Sequence, residues 1–215
     1  DPSTPAAGIG APLVTPNPQT YAGAWWAHPT SGRQGWLITG NNGVFGENNI
    51  TFISADGAAA GPVTLALSSF SGGITVAANG DVITVLADFN PAVDNQVLRF
   101  TADQIDAAVA AVLAAMPAPL AAVDAANPLR ADASSSVAVD ALGRLWVGGW
   151  QIPHLQLWDP VSGISRRVSP LADSPANHAG PPNFAVKAFS QGGGDRVSFL
   201  AHDSFYSSGS DLLLG

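Results

Sequence analysis

Ser136-Val137-Ala138-Val139-Asp140-Ala141-Leu142-Gly143-Arg144-Leu145-Trp146-Val147-Gly148-Gly149 is the stretch on which the fold turns. Two short apolar runs flank the turn-forming residues Asp140 and Gly143, so it reads as a strand, a tight corner and a returning strand. Ile74-Thr75-Val76-Ala77-Ala78-Asn79-Gly80-Asp81-Val82-Ile83-Thr84-Val85-Leu86 has the same layout, with Asn-Gly between alternating apolar runs. That dipeptide is the strongest short-range hairpin signal. The runs at 183–189 and 196–202, joined through Gly192-Gly193-Gly194-Asp195, repeat the scheme.

Further strands follow the first two hairpins: Gln96-Val97-Leu98-Arg99-Phe100 after one, then Leu155-Gln156-Leu157-Trp158-Asp159 and Ile164-Ser165-Arg166-Arg167-Val168 after the other. A unit that recurs at such spacing marks a repeat architecture. Asp140, Gly143, Leu145, Trp146 and Val147 match a D-x-x-G-x-L-W-V pattern, and over roughly residues 70–215 the chain resembles the four-stranded blades of bacterial β-propellers. At ~40–45 residues per blade the chain holds about four or five. The expectation is a mainly β fold, antiparallel hairpins arranged as a partial or degenerate β-propeller-like ring, in a single domain over 1–215 whose residues 1–20 form an extended N-terminal segment. An ordinary antiparallel sandwich is the alternative.

One segment breaks the β pattern. Thr101-Ala102-Asp103-Gln104 is a capping-box signature, and Ile105, Val109, Val112, Leu113 and Met116 form one apolar stripe before Pro117. The pattern predicts a helix over about 102–116, inside a helical insertion at 101–133, lying on a sheet edge.

Composition excludes several functions. A net charge of −8 and only eight Lys and Arg leave no basic surface for nucleic acid. No stretch is long and apolar enough to span a membrane. The opening Asp1-Pro2-Ser3-Thr4-Pro5-Ala6-Ala7-Gly8 reads as a terminus left after removal of a leader, so the protein is expected to be exported, secreted or held at the cell surface. Cysteine is absent, which removes disulfides, thiolate ligands and thiol nucleophiles.

Catalytic patterns are sparse. There is no G-x-S-x-G, the glycine-rich runs lack the Lys of a phosphate loop, and Glu47 is the only glutamate. No enzyme activity and no small-molecule substrate are expected. A propeller hydrolase of the lactonase type, with a divalent cation on oxygen ligands, would have to centre on Glu47.

Four histidines remain: His28, His154, His178 and His202. In Trp26-Ala27-His28 an extended backbone puts Trp26 and His28 on one face. His28, His154 and His202 each follow a run read as the second strand of a hairpin, so their loops are expected to open on one face of the disc and let imidazoles converge. His178 sits in a Pro-rich connection. Imidazoles without thiolates suit copper or zinc. Scattered structural histidines, with Trp26 packed against Trp25 or Trp36, are the plain alternative.

Trp26-Ala27-His28, in an acidic chain without cysteine, resembles the surface-associated copper-binding proteins of methane-oxidising bacteria (MopE/CorA type). The resemblance implies a copper ion, Cu(I), held by two histidines and by a tryptophan oxidised to kynurenine two positions before the first histidine. On this chain those positions are Trp26 and His28. The second histidine is open, in the order His154, His202, His178: Trp150 and Trp158 flank His154, and Asp203 adjoins His202. An intact indole only donates a hydrogen bond, so Trp26 becomes a ligand only once oxidised. The implied role is copper acquisition or storage. The rival reading is a non-enzymatic β module that uses its tryptophans to bind a glycan or a surface partner.

Overall fold

The computed structural model describes residues 19–41, 48–64, 70–87, 95–114, 129–131, 136–148, 155–159, 162, 164–168, 183–191, 194–202 and 213–214. Their architecture is mainly β, antiparallel and propeller-like, with one inserted helix. Sheet one contains β1 (Gln19–Ala27), β2 (Gln34–Asn41), β3 (Asn48–Ser54) and β4 (Ala60–Pro62). Sheet two contains β5 (Phe70–Val76), β6 (Val82–Ala87), β7 (Asn95–Phe100) and β8 (Leu129–Ala131). Sheet three contains β9 (Ser136–Val139), β10 (Leu145–Gly148), β11 (Leu155–Asp159) and β12 (Ile164–Val168). Sheet four contains β13 (Asn183–Gln191), β14 (Gly194–His202) and β15 (Leu213–Leu214).

Within every sheet the strands run in chain order, so each is a simple meander. The sheets then stack by one rule. β5 packs on β1 and β2, β9 on β5 and β6, and β13 on β9 and β10. Each first strand thus rests on the first two strands of the preceding sheet, which is the blade-on-blade arrangement of a propeller. Among the described strands, no comparable packing joins sheet four back to sheet one.

Side-chain alternation explains the stacking. On β6, Val82 and Thr84 face one way and Ile83 and Val85 the other, and all four are buried. Val82 belongs to a core with Trp26, Leu37, Ile50 and Phe52 of sheet one, whereas Ile83 and Val85 join Val137, Leu145 and Val147 of sheet three. A strand covered on both faces must be apolar at nearly every position. At Gly73 a Cβ would stand 2.8 Å from the Val137 amide nitrogen, so the missing side chain lets sheets two and three approach.

Helix α1 (Ala102–Leu113) has the expected capping box: Thr101 accepts from the Gln104 amide, and the Gln104 side chain accepts from the Thr101 amide. Ile105, Ala108 and Val109 enter the core between sheets one and two, whereas Leu113 is exposed. The helix ends at Leu113, short of the expected Met116, which lies outside the described residues. The span 101–133 is more than a helical insertion. It also holds β8, which pairs with β7 and completes sheet two. The extended segment expected over 1–20 overlaps β1 at its last two residues, and 1–18 lie outside the described residues.

Candidate functional site

Trp26 and His28 stand side by side as the extended backbone requires, ring centroids 6.0 Å apart, both buried. The indole N–H donates to the Gly80 carbonyl at 3.0 Å, across to the β5–β6 corner. Its ring also meets Phe52 edge-on at 6.4 Å. Room for this comes from Gly35, the cross-strand partner of Trp26, where a Cβ would lie 2.5 Å from the Phe52 ring. Trp26 therefore packs in the core, against Phe52, while Trp25 and Trp36 pair with each other elsewhere.

His28 closes the β1–β2 corner. Its amide donates to the Arg33 carbonyl at 2.9 Å, and its Nδ1 accepts from the Ser31 amide at 2.9 Å and the Thr30 amide at 3.4 Å. A ring nitrogen that accepts two N–H groups carries no proton, so we assign the proton to Nε2, which donates to Asp103 Oδ1 of α1 at 3.1 Å. Beside it Asp106 accepts from the Ser31 hydroxyl at 2.6 Å and from Arg33 at 2.5 Å. Burial pushes the Asp106 carboxyl up, but these two donors and the Arg33 charge outweigh it and hold it below its ordinary range.

The β9–β10 corner in sheet three uses the same device. The Asp140 amide donates to the Arg144 carbonyl at 3.1 Å, and its Oδ1 accepts from the amides of Leu142 at 3.0 Å and Arg144 at 2.9 Å. Its other oxygen takes Arg144 Nε at 2.7 Å and the Trp146 indole at 3.0 Å. The imidazole of His28 does for sheet one what the Asp140 carboxylate does for sheet three: it satisfies amides that the turn leaves unpaired.

This arrangement does not fit a copper site as it stands. A metal on imidazole needs a nitrogen lone pair, and Nδ1 spends its own on two amides while Nε2 carries the proton given to Asp103. The Trp26 nitrogen is committed to Gly80, and oxidation would create polar groups inside a packed core. Among the described residues no group of three or more His, Cys, Asp or Glu side chains is placed to hold a metal ion.

Topology also separates the histidines. His28 lies between the first and second strands of its sheet and not after a second strand as expected. His202 ends the second strand of its own sheet, opposite Asn183 at the start of the first. These positions are at opposite ends of the meander, so convergence on one face does not follow. His154, in the connection between β10 and β11, His178, Asp203 and Glu47 lie outside the described residues.

The feature that the sequence reading passed over is on the other face of sheet one. Trp25 and Trp36 are cross-strand partners with ring centroids 5.5 Å apart at 81°, edge to face. They are 42 % and 46 % exposed, and sheet two covers only the opposite, Trp26 face. Alternation was the available signal: if Trp26 points inward on β1, Trp25 points outward.

No family model matches the chain, and no curated protein matches it. Among solved structures, an auxiliary nutrient binding protein from Bacteroides thetaiotaomicron aligns at a TM-score of 0.52 and 12 % identity, over 90 % of this chain and 41 % of that one. A catalytically inactive variant of virginiamycin B lyase from Staphylococcus aureus, solved with quinupristin, aligns at 0.42 and 13 % identity over 92 % of this chain and 69 % of that one. The chain thus spans about two fifths of the length of the first of these proteins, and the likeness shows the propeller-like fold.

Proposed function

We propose that the protein acts by binding and not by turnover, through the outward face of sheet one. The observation that carries this reading is the exposed Trp25–Trp36 pair. Two large apolar side chains held in one geometry and left exposed, beside the buried Thr51 and Ile53 of the same sheet face, are an expensive feature to keep in water. They are also the residue type that supplies most contact energy at recognition surfaces.

Site-specific photocrosslinking tests it. A photoreactive residue at Trp36 in the producing cell is expected to give an adduct of discrete mass, lost in the Trp25→Ala background, whereas the same group at the exposed Leu142 gives none. Silence at both positions, or equal labelling at both, would sink the reading.

Copper acquisition at the cell surface, the role implied by the resemblance, requires Trp26 to be oxidised and His28 to exchange one of its hydrogen bonds for the metal. Intact mass and metal analysis of natively purified protein separate the two readings. A mass matching the encoded sequence with no bound copper leaves the binding face alone.

A further inference from the structure

We propose that the Trp25–Trp36 pair binds an uncharged carbohydrate, with the apolar side of a sugar ring laid on an indole. The inference rests on the binding-face reading and names its ligand. Patch size, charge and ring geometry each narrow the choice.

The exposed apolar patch is small. Trp25, Trp36 and Ile53 form one cross-strand row, and Ile38 and Thr51 stand in the next row on the same face. Ile53 and Thr51 are buried and Ile38 is half-buried, so the large apolar side chains left open here are the two indoles. At 42 % and 46 % exposure, and ~150–250 Å² for an aromatic side chain, they offer about 130–220 Å². A stable protein partner takes ~800 Å² from each side. The patch suits a ligand the size of a few rings.

Charge selects further. The strands of sheet one contain no Asp, Glu, Lys or Arg, in a chain with 16 acidic and eight basic residues. In the adjoining corners Arg33 is bound to Asp106, and Asp56 accepts from the Ser54 hydroxyl and the Ala58 amide. Such a face gives an ionic ligand no hold, and the net charge of −8 repels phosphodiesters, which disfavours nucleic-acid bases as the stacked group. Its polar groups are carboxamides and a hydroxyl. Gln34 is exposed two positions before Trp36, and Asn49 accepts from the Thr51 hydroxyl at 3.2 Å. Carboxamides donate and accept, as sugar hydroxyls do.

The ring geometry leaves room for a stack. With the ring planes at 81°, the indole that presents its edge keeps both π faces clear of its partner. Gly23 and Ala27, the neighbours of Trp25 on the same side of β1, add nothing larger than a methyl group. A π face is negative and attracts the weakly positive C–H groups on one side of a sugar ring.

Native electrophoresis of the full chain through gels containing polysaccharide tests this. The uncharged probes are hydroxyethyl cellulose, starch, mannan and xylan, and the charged one is polygalacturonate. At least one uncharged polysaccharide is expected to retard the wild type. Trp25→Ala and Trp36→Ala should each weaken that retention about tenfold or more with unchanged circular dichroism, whereas Leu142→Ala keeps it. Retention should persist from ~0.05 to ~0.5 M salt, because no ion pair carries it. If an alanine variant unfolds, the wild type still decides: the retarding polysaccharide should protect Trp25 and Trp36 from N-bromosuccinimide, as mapped by peptide mass.

Free mobility of the wild type in every uncharged gel overturns the carbohydrate. So do retention by polygalacturonate alone, retention that both folded alanine variants keep, and oxidation of the two indoles that the polysaccharide does not slow. A photoadduct at position 36 that carries polypeptide or lipid and no sugar overturns this inference and leaves the binding face standing. No adduct at all removes the face.

Discussion

The indole N–H of Trp26 donates 3.0 Å to the carbonyl of Gly80, tying the first strand of sheet one to the first corner of sheet two. Pro29, just past His28, also lies against Gly80, and α1 follows from the third strand of the same sheet. The Trp26-Ala27-His28 run therefore sits where two sheets and the helix meet.

Replacing Trp26 with Phe is expected to lower stability by about 2–4 kcal/mol, because it opens a cavity and leaves the Gly80 carbonyl without its buried donor. Equilibrium urea unfolding measures this. A change below ~0.5 kcal/mol would show that the indole is not held as described.

At His28 the acceptor matters more than the ring. His28→Ala should cost about 1–2 kcal/mol, the loss expected when the amides of a turn lose their cap. His28→Asn keeps a carbonyl acceptor and should lose less. His28→Asp should do worse than Asn, since it adds a charge beside Asp103 and Asp106. Melting temperatures of the three variants rank them.

Gly80 and Gly143 both hold left-handed backbone, at φ of 85° and 75°, but differ in surroundings. A Cβ on Gly143 meets nothing within 4 Å, whereas one on Gly80 falls 2.9 Å from Pro29 Cδ and 3.1 Å from Ala102 Cβ. Gly143→Ala should cost about 1–2 kcal/mol from the backbone alone, and Gly80→Ala should cost more. Paired denaturation curves check the order.

Acid should weaken the fold through Asp140. Burial raises its carboxyl, but hydrogen bonds from Trp146 and Arg144 and the Arg144 charge outweigh this, so its folded pKa lies below the ordinary 3.8. A depressed folded pKa gives stability that is full above the unfolded value and is lost as pH falls through the folded one. The loss therefore begins below about pH 4. Asp140→Asn should flatten the dependence of the urea midpoint on pH in that range.

Two hairpin corners were legible from an Asn or Asp with a following glycine, whereas Asp56-Gly57 between β3 and β4, which carries the same signal, was not read as one. Asn79-Gly80 and Asp140 to Gly143 gave β5–β6 and β9–β10, and Thr101 with Gln104 gave the start of α1. Sheet one was harder to see as a blade because its corner reads His28-Pro29-Thr30-Ser31-Gly32. The geometry is related, with Gly32 at φ 76°, but the acceptor is an imidazole where a carboxylate is usual. For the same reason the pairing of Trp26 with His28 was visible while its meaning was not. Strand periodicity puts two side chains together, but which hydrogen bonds they make depends on Gly80 and Asp103, which are distant in sequence and close only once sheets and helix pack. Pairing of Trp25 with Trp36 likewise needs the β1–β2 register.

Because every sheet is a meander in chain order, its ladders join only strands adjacent in the sequence. Each sheet can therefore assemble after closing only short loops, the α1-bearing span before β8 being the longest exception. The long-range commitment is deferred to stacking. Individual hairpins should gain amide protection early in refolding, within milliseconds at typical rates for local pairing, with Trp26 reaching its native emission only when the second sheet arrives.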